Sequence, residues 1–155
     1  MTACPCGYGE YIDCCAPLHL GQQYAQNAEQ LMRSRYSAFA KQQIDYLIQT
    51  TAIRQQYLLD VTAIRDWSAQ NQWLKLEIVH TEPKLGKKHA AVEFKAHFQS
   101  PDGQQHVHHE ASVFVQQHGK WYFLDPTLAL PSLKQSCICG SDKKYKQCCA
   151  PFLQE

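Results

Sequence analysis

All eight cysteines of this 155-residue chain fall in two stretches of similar pattern, CPCGYGEYIDCC at 4–15 and CICGSDKKYKQCC at 137–149. In the first, Cys4 and Cys6 bracket Pro5, and Cys14 and Cys15 follow after seven residues; in the second, Cys137 and Cys139 bracket Ile138, and Cys148 and Cys149 follow after eight. Each stretch offers four sulfurs. Four thiolates at about 2.3 Å complete the tetrahedral shell of a structural zinc ion and leave no position for a reactive water. Gly7 and Gly140 follow the second cysteine of each copy, where the chain must turn back, and both copies end in CCAP. Buried free thiols, disulfides and a redox pair are the other chemistries open to such a pattern. Adjacent cysteines bridge only through a strained ring, because a disulfide normally needs Cα atoms about 4.4–6.8 Å apart. The expectation is one zinc ion per stretch, two in all, held by sulfur alone. Iron is the alternative occupant, and His19 is a reserve ligand for the first site.

CICGSDKKYKQCC resembles the SEC-C motif, the zinc-binding tail first noted in the SecA translocase, at Cys137, Cys139, Gly140, Ser141, Lys143, Lys144, Tyr145, Lys146, Cys148 and Cys149. The first stretch resembles it more loosely, one residue shorter and without the lysines. Four thiolates around a divalent ion leave a charge of about −2, which neighbouring cations offset. Lys143, Lys144 and Lys146 supply them in the second copy, whereas Glu10 and Asp13 stand in the first. The C-terminal knuckle is therefore expected to offer a basic surface to an acidic protein partner or to phosphate, and the N-terminal one to brace the fold. The resemblance implies a protein partner by analogy with the chaperone-binding tail of SecA. The competing reading is that the lysines only balance the metal–thiolate charge.

The formal net charge of +1 gives no field for nucleic acid, and three lysines neutralise too few phosphates for tight binding at physiological salt. The N-terminus lacks a signal-peptide pattern, and no run approaches the ~18 apolar residues of a membrane span. A cytoplasmic protein is expected, a reducing setting in which clustered cysteines more often bind metal than bridge.

Between the cysteine stretches the periodicity is first helical, then alternating. Asn27 and Gln30 fit a helix-capping pair ahead of Leu31, Met32, Tyr36, Phe39, Ile44 and Leu47, which predicts a helix over 27–49. A second helix is expected over 60–71 with Ile64 and Trp67 inward. Strands are expected at 73–80, 90–99, 106–116 and 120–125, with turn chemistry around Gly86, Gly103 and Gly119. Their inward faces read Leu74, Leu76, Ile78 and His80; Val92, Phe94, Ala96 and Phe98; Val107, His109, Ala111, Val113 and Val115; and Trp121 with Phe123.

Helices followed by a β-meander resemble the NTF2-like (cystatin-type) α+β cone. RSRYSAF at 33–39, Tyr46 with Leu47, HEASVF at 109–114 and KWYFLD at 120–125 resemble more specifically the YchJ-like family of uncharacterised bacterial proteins. The implied organisation is a zinc knuckle at 1–22, an NTF2-like domain at 23–131 and a SEC-C knuckle at 132–155. Such cones commonly enclose a pocket. His80, His109 and Asp125 are expected to point into it, with Arg33, Arg35 and Tyr36 at its mouth. A histidine oriented by a carboxylate suits general-base work, but Glu110 and Ser112 fall on the face opposite His109, so no triad forms. The alternative is that His109 is a hydrogen-bonded core residue. The main expectation is thus a zinc-binding adaptor and not an enzyme. An enzyme or small-ligand binder using the interior, its ligand unspecified, is the competing class.

Overall fold

The computed structural model describes residues 2–153. Its helices are α1 (Ala16–His19), α2 (Ala28–Ala40), α3 (Ile44–Gln49), α4 (Val61–Gln70) and α5 (Ala150–Leu153), and its strands are β1 (Gln72–Glu82), β2 (His89–Gln99), β3 (Gln105–Gln117) and β4 (Lys120–Leu124). The strands form one antiparallel sheet in the order β1-β2-β3-β4, with α2 to α4 on one face, so the chain is an α+β, NTF2-like fold carrying a cysteine cluster at each end.

Helix α2 starts where the capping pair places it: the Asn27 side chain accepts from the Gln30 amide at 2.8 Å, and the Gln30 side chain accepts from the Gln26 amide. Asp60 caps α4 in the same manner through the Ala63 amide. The expected continuous helix over 27–49 is instead two. Gln42 takes a left-handed backbone (φ 56°), the Gln43 amide reaches back to Ala38 O at 2.8 Å, and the Gln42 amide reaches Phe39 O at 3.4 Å. This pair of bonds is the usual helix stop, here built without glycine. The break lets Ile44 and Leu47 pack against Ala38 in a small core of their own.

The main core joins Leu31, Met32 and Tyr36 of α2 to Val92, Phe94 and Ala96 of β2. Register then decides the faces of the other strands. Val92, Phe94 and Ala96 stand opposite Ser112, Glu110 and His108, and directly opposed residues share a face. The even-numbered residues of β3 therefore face the helices, and Val107, His109, Ala111, Val113 and Val115 face the other way, contrary to the sequence reading. Their apolar character has a different cause. Val113 and Val115, with Tyr122 and Leu124 of β4, are covered on that outer face by Ile138, Tyr145 and the C-terminal cysteines. Both faces of β3 are buried at that end, so alternation alone does not tell which face is the inner one.

In β1 the register slips between Trp73 and Lys75 and again between Ile78 and His80. Each bulge moves the following residues to the opposite face. Trp73, Leu76 and Ile78 pack on the core, Leu74 is left exposed, and His80 points to solvent, 3.9 Å from Glu82. Trp67, expected inward on α4, is half-exposed at the edge of the core.

Candidate metal centres and an interior cavity

The two cysteine stretches fold alike. In the first, Ala3 bridges to Glu10, the Cys4 amide donates to Gly9 O, and Gly7 (φ 89°) returns its amide to Cys4 O. In the second, Ser136 bridges to Lys144, the Cys137 amide donates to Lys143 O, and Gly140 (φ 84°) returns its amide to Cys137 O. A short 3-10 turn follows in each, Tyr11–Asp13 and Tyr145–Gln147. Cys14 (φ −109°, ψ −92°) and Cys148 (φ −126°, ψ −92°) then leave helical geometry before α1 and α5 begin. That irregular residue aims two adjacent side chains at one point, a convergence that regular backbone would not allow.

In each cluster the four sulfurs lie within 4.8 Å of one another. Cys6–Cys14 and Cys139–Cys148 are 3.5 Å apart, and Cys14–Cys15 and Cys148–Cys149 are 3.9 Å apart. A tetrahedron with about 2.3 Å bonds from metal to sulfur has edges near 3.8 Å, and disulfide sulfurs would stand at about 2.05 Å. All eight cysteines are free thiols. The residues therefore fit a tetrahedral metal ion.

Proton sharing points the same way. Burial and hydrogen bonding to Cys6 push the Cys14 thiol up to about 12, and hydrogen bonding to Cys139 with burial pushes Cys137 up to about 12. Cys15 and Cys149 are pushed up further by hydrogen bonding to Cys4 and Cys137, while Cys4 and Cys139 are lowered as acceptors from their neighbours. Four sulfurs this close ionise together only against the charge of a cation.

Polar groups outside the clusters reach the sulfurs. Cys4 lies 3.3 Å from Ser37 Oγ on α2. At the second cluster Gln117 Nε2 donates to Cys139 Sγ at 3.2 Å, His89 Nε2 lies 3.2 Å from Cys149 Sγ, and Ser141 Oγ lies 3.3 Å from Cys148 Sγ. Burial lowers the His89 pKa and favours the neutral ring, which also stacks on Phe152 at 4.1 Å. Such outer contacts orient metal ligands and raise affinity. Sequence reasoning missed them because Ser37, His89 and Gln117 are distant in the chain.

His19 is not a ligand. Its Nε2 donates to Ser34 O at 2.8 Å, so its Nδ1 accepts from the Tyr11 hydroxyl at 2.6 Å, and both nitrogens are occupied. It clamps the first cluster to α2. Arg33 does likewise, through Nη1 to Cys6 O and Nε to Glu29, each at 3.0 Å, and it stacks over Tyr8. Arg33 is therefore absent from the pocket mouth where the sequence put it.

The interior does hold a cavity, of about 280 Å3, between α2, α4 and the inner sheet face. Arg35, Tyr36 and Asp125 are among the residues that line it. His80 and His109 do not; His109 pairs with Glu93 at 2.6 Å on the outer face. The strand register instead brings in Glu110 and Ser112, which the sequence reading had turned outward, and His108 with them. Arg35 is buried, its Nη1 donating to Leu47 O at 2.9 Å and Thr50 Oγ1 at 2.7 Å. Burial pulls this guanidinium down to about 10, still charged near neutrality.

Lys143, Lys144 and Lys146 are exposed and form no ion pair among the described residues. Lys143 shares a cleft of about 260 Å3 with Lys87 and Lys88 from the loop between β1 and β2. No helix among the described residues is long and apolar enough to cross a membrane.

The family profile described as the YchJ middle NTF2-like domain matches residues 27–126, and that of the SEC-C motif matches 134–151. The chain is similar to a UPF0225 protein of Actinobacillus succinogenes, 49% identical over 99% of this chain and 100% of that one. It is also similar to a UPF0225 protein of Haemophilus influenzae, 49% identical over 97% of this chain and 93% of that one. A crystal structure of a SEC-C motif containing protein from Psychrobacter arcticus superposes with a TM-score of 0.86, 44% identity and 96% of both chains covered. The solution structure of a SEC-C motif containing protein from Rhodopseudomonas palustris gives a TM-score of 0.72 at 36% identity, over 79% of this chain and 94% of that one.

Proposed function

The chain belongs to the UPF0225 family, with a YchJ-like middle NTF2-like domain and a SEC-C motif, and from that premise we propose that it is a cytoplasmic protein-binding adaptor whose two knuckles each hold a zinc ion. The N-terminal knuckle braces α2 through His19, Arg33 and Ser37. The C-terminal knuckle braces the outer sheet face and presents a basic surface to an acidic protein segment.

The observation that carries the docking reading is the convergence of Lys87 and Lys88 with Lys143 on one cleft beside the second cluster. These lysines come from segments far apart in the chain. Charge balance of one knuckle explains lysines within that knuckle, but it does not explain two more from the β1–β2 loop. Asp142, the acid of the knuckle among the described residues, is paired with Arg54 at 3.2 Å. Local positive charge of this kind governs partner choice and encounter rate.

Fluorescence anisotropy with a labelled peptide rich in Asp and Glu, against a Gln-rich peptide of equal length, tests the reading. The acidic peptide is expected to bind with strong salt dependence, and the variants Lys87→Gln with Lys88→Gln, and Lys143→Gln with Lys146→Gln, each to weaken it. Equal binding of both peptides, or of wild type and variants, contradicts the docking surface. Stronger binding of a single-stranded oligonucleotide than of the acidic peptide would move the function to another class.

A further inference from the structure

Arg35 is a buried charge without a counter-ion among the described residues. Only 9% of its surface is open. Its Nη1 is spent on neutral acceptors, Leu47 O at 2.9 Å, Thr50 Oγ1 at 2.7 Å and Thr51 Oγ1 at 3.5 Å, and its guanidinium carbon lies over the Phe123 ring, 4.6 Å from the centroid. Nε and Nη2 make no hydrogen bond among the described residues, yet neither is sealed off, and the side chain lines the interior cavity. These two nitrogens share one edge of the planar fork, the edge that a carboxylate meets with two parallel bonds. Buried charges are normally paired, so an open guanidinium edge in a cavity wall calls for an anionic group.

A plain anion suits only part of the lining. Glu110 accepts from His108 at 3.1 Å through Oε2, and Asp125 accepts from the Thr127 amide at 2.9 Å through Oδ1, which leaves one oxygen of each carboxylate without a partner among the described residues. Both acids line the same cavity. They are near enough to Arg35 to favour its charge but form no ion pair with it, which leaves space between opposite charges. One guanidinium against two carboxylates gives a formal charge of −1, so an anion alone meets two repelling groups. A cation alone leaves the Arg35 edge unpaired. A molecule that carries a carboxylate and an ammonium side by side meets an opposite charge with each. Most of the remaining wall is apolar, including Met32, Phe39, Leu47, Trp67, Phe94 and Phe98, and the volume of about 280 Å3 is small for a ligand site.

We propose that this cavity binds a free α-amino acid with an apolar side chain. Its carboxylate sits on the Nε–Nη2 edge of Arg35, its ammonium group faces Glu110 and Asp125, and its side chain lies among the apolar residues of the wall. The site is separate from both cysteine clusters and from the lysine cleft, and it stands independently of the adaptor reading.

L-phenylalanine and three compounds that each lack one of its parts test the proposal: 3-phenylpropanoate has no ammonium, phenethylamine has no carboxylate, and glycine has no apolar side chain. The indole N–H signals of Trp67 and Trp73 report the cavity in the full chain, and that of Trp121, which does not line it, is the control. L-phenylalanine is expected to shift the first two saturably and leave the third in place, with each of the other three compounds weaker by about tenfold or more. The double variant Glu110→Gln with Asp125→Asn is expected to weaken L-phenylalanine by about tenfold or more and to bind 3-phenylpropanoate at least as well as wild type does. An unchanged Trp121 signal in that variant shows that its fold is intact. No saturable shift with L-phenylalanine, equal binding of any of the three truncated compounds, or an unchanged affinity for L-phenylalanine in the double variant would each overturn the proposal.

Discussion

Gln117 donates a hydrogen bond from Nε2 to Cys139 Sγ across 3.2 Å, joining the last residue of β3 to the C-terminal cysteine cluster. Both groups are buried. The bond ties a strand of the central domain to a motif that otherwise reads as an independent tail. Gln117→Ala is expected to lower metal affinity at the second cluster by about 10- to 100-fold and leave the first unchanged. Competition with a chelator, followed by release from each cluster in single-site variants, measures this; equal loss at both clusters contradicts it.

His19 supports the first cluster by packing, not by ligation. Loss of its bonds to Ser34 O and the Tyr11 hydroxyl in His19→Ala is expected to cost about 2 kcal/mol of unfolding free energy, with metal stoichiometry retained. Urea denaturation and metal analysis of one preparation decide between the two roles. Loss of one metal ion in this variant would make His19 a ligand after all.

The same residue gives a pH dependence. Burial lowers the His19 pKa in the fold, so the unfolded chain takes up its proton first as pH falls. Its contribution is complete above the unfolded value of about 6.5 and declines as pH drops below it. Wild type is therefore expected to lose more stability between pH 7.5 and pH 5.5 than His19→Gln, which cannot titrate. Parallel denaturation curves for the two proteins at both pH values would contradict this.

Tyr36→Phe is expected to leave the ligand-free protein as stable as wild type, or more stable by up to about 1 kcal/mol, since it removes a buried hydroxyl that has no partner. Thermal and chemical denaturation are the checks. A loss above about 1 kcal/mol would mean that the hydroxyl is satisfied in solution.

Much of this architecture was legible in the sequence. The eight cysteines, the repeated CCAP and the lysine-rich second copy locate both clusters, and the Asn27–Gln30 pair and the helical pattern from residue 60 start the two longer helices close to where they begin. What failed has identifiable physical causes. Gln42 adopts the left-handed conformation without being glycine, so nothing local marked the helix break. The bulges in β1 leave no signature in the alternation, and they turned His80 outward. Val113 and Val115 are apolar because the C-terminal knuckle lies on them, and that second layer inverted the reading of β3, misplacing His109 and hiding Glu110. A strand's inner face is set by its partner's register, and no single strand contains that information.

The central claim is that each cysteine cluster grips one divalent ion and thereby orders its end of the chain. Native mass spectrometry of gently purified protein, with elemental analysis of the same sample, tests it most directly. The account predicts two zinc ions per chain, falling to one in Cys14→Ser and one in Cys148→Ser, with the remaining thiols of wild type unreactive until chelator is added. A chain without stoichiometric metal whose eight thiols titrate freely would contradict it.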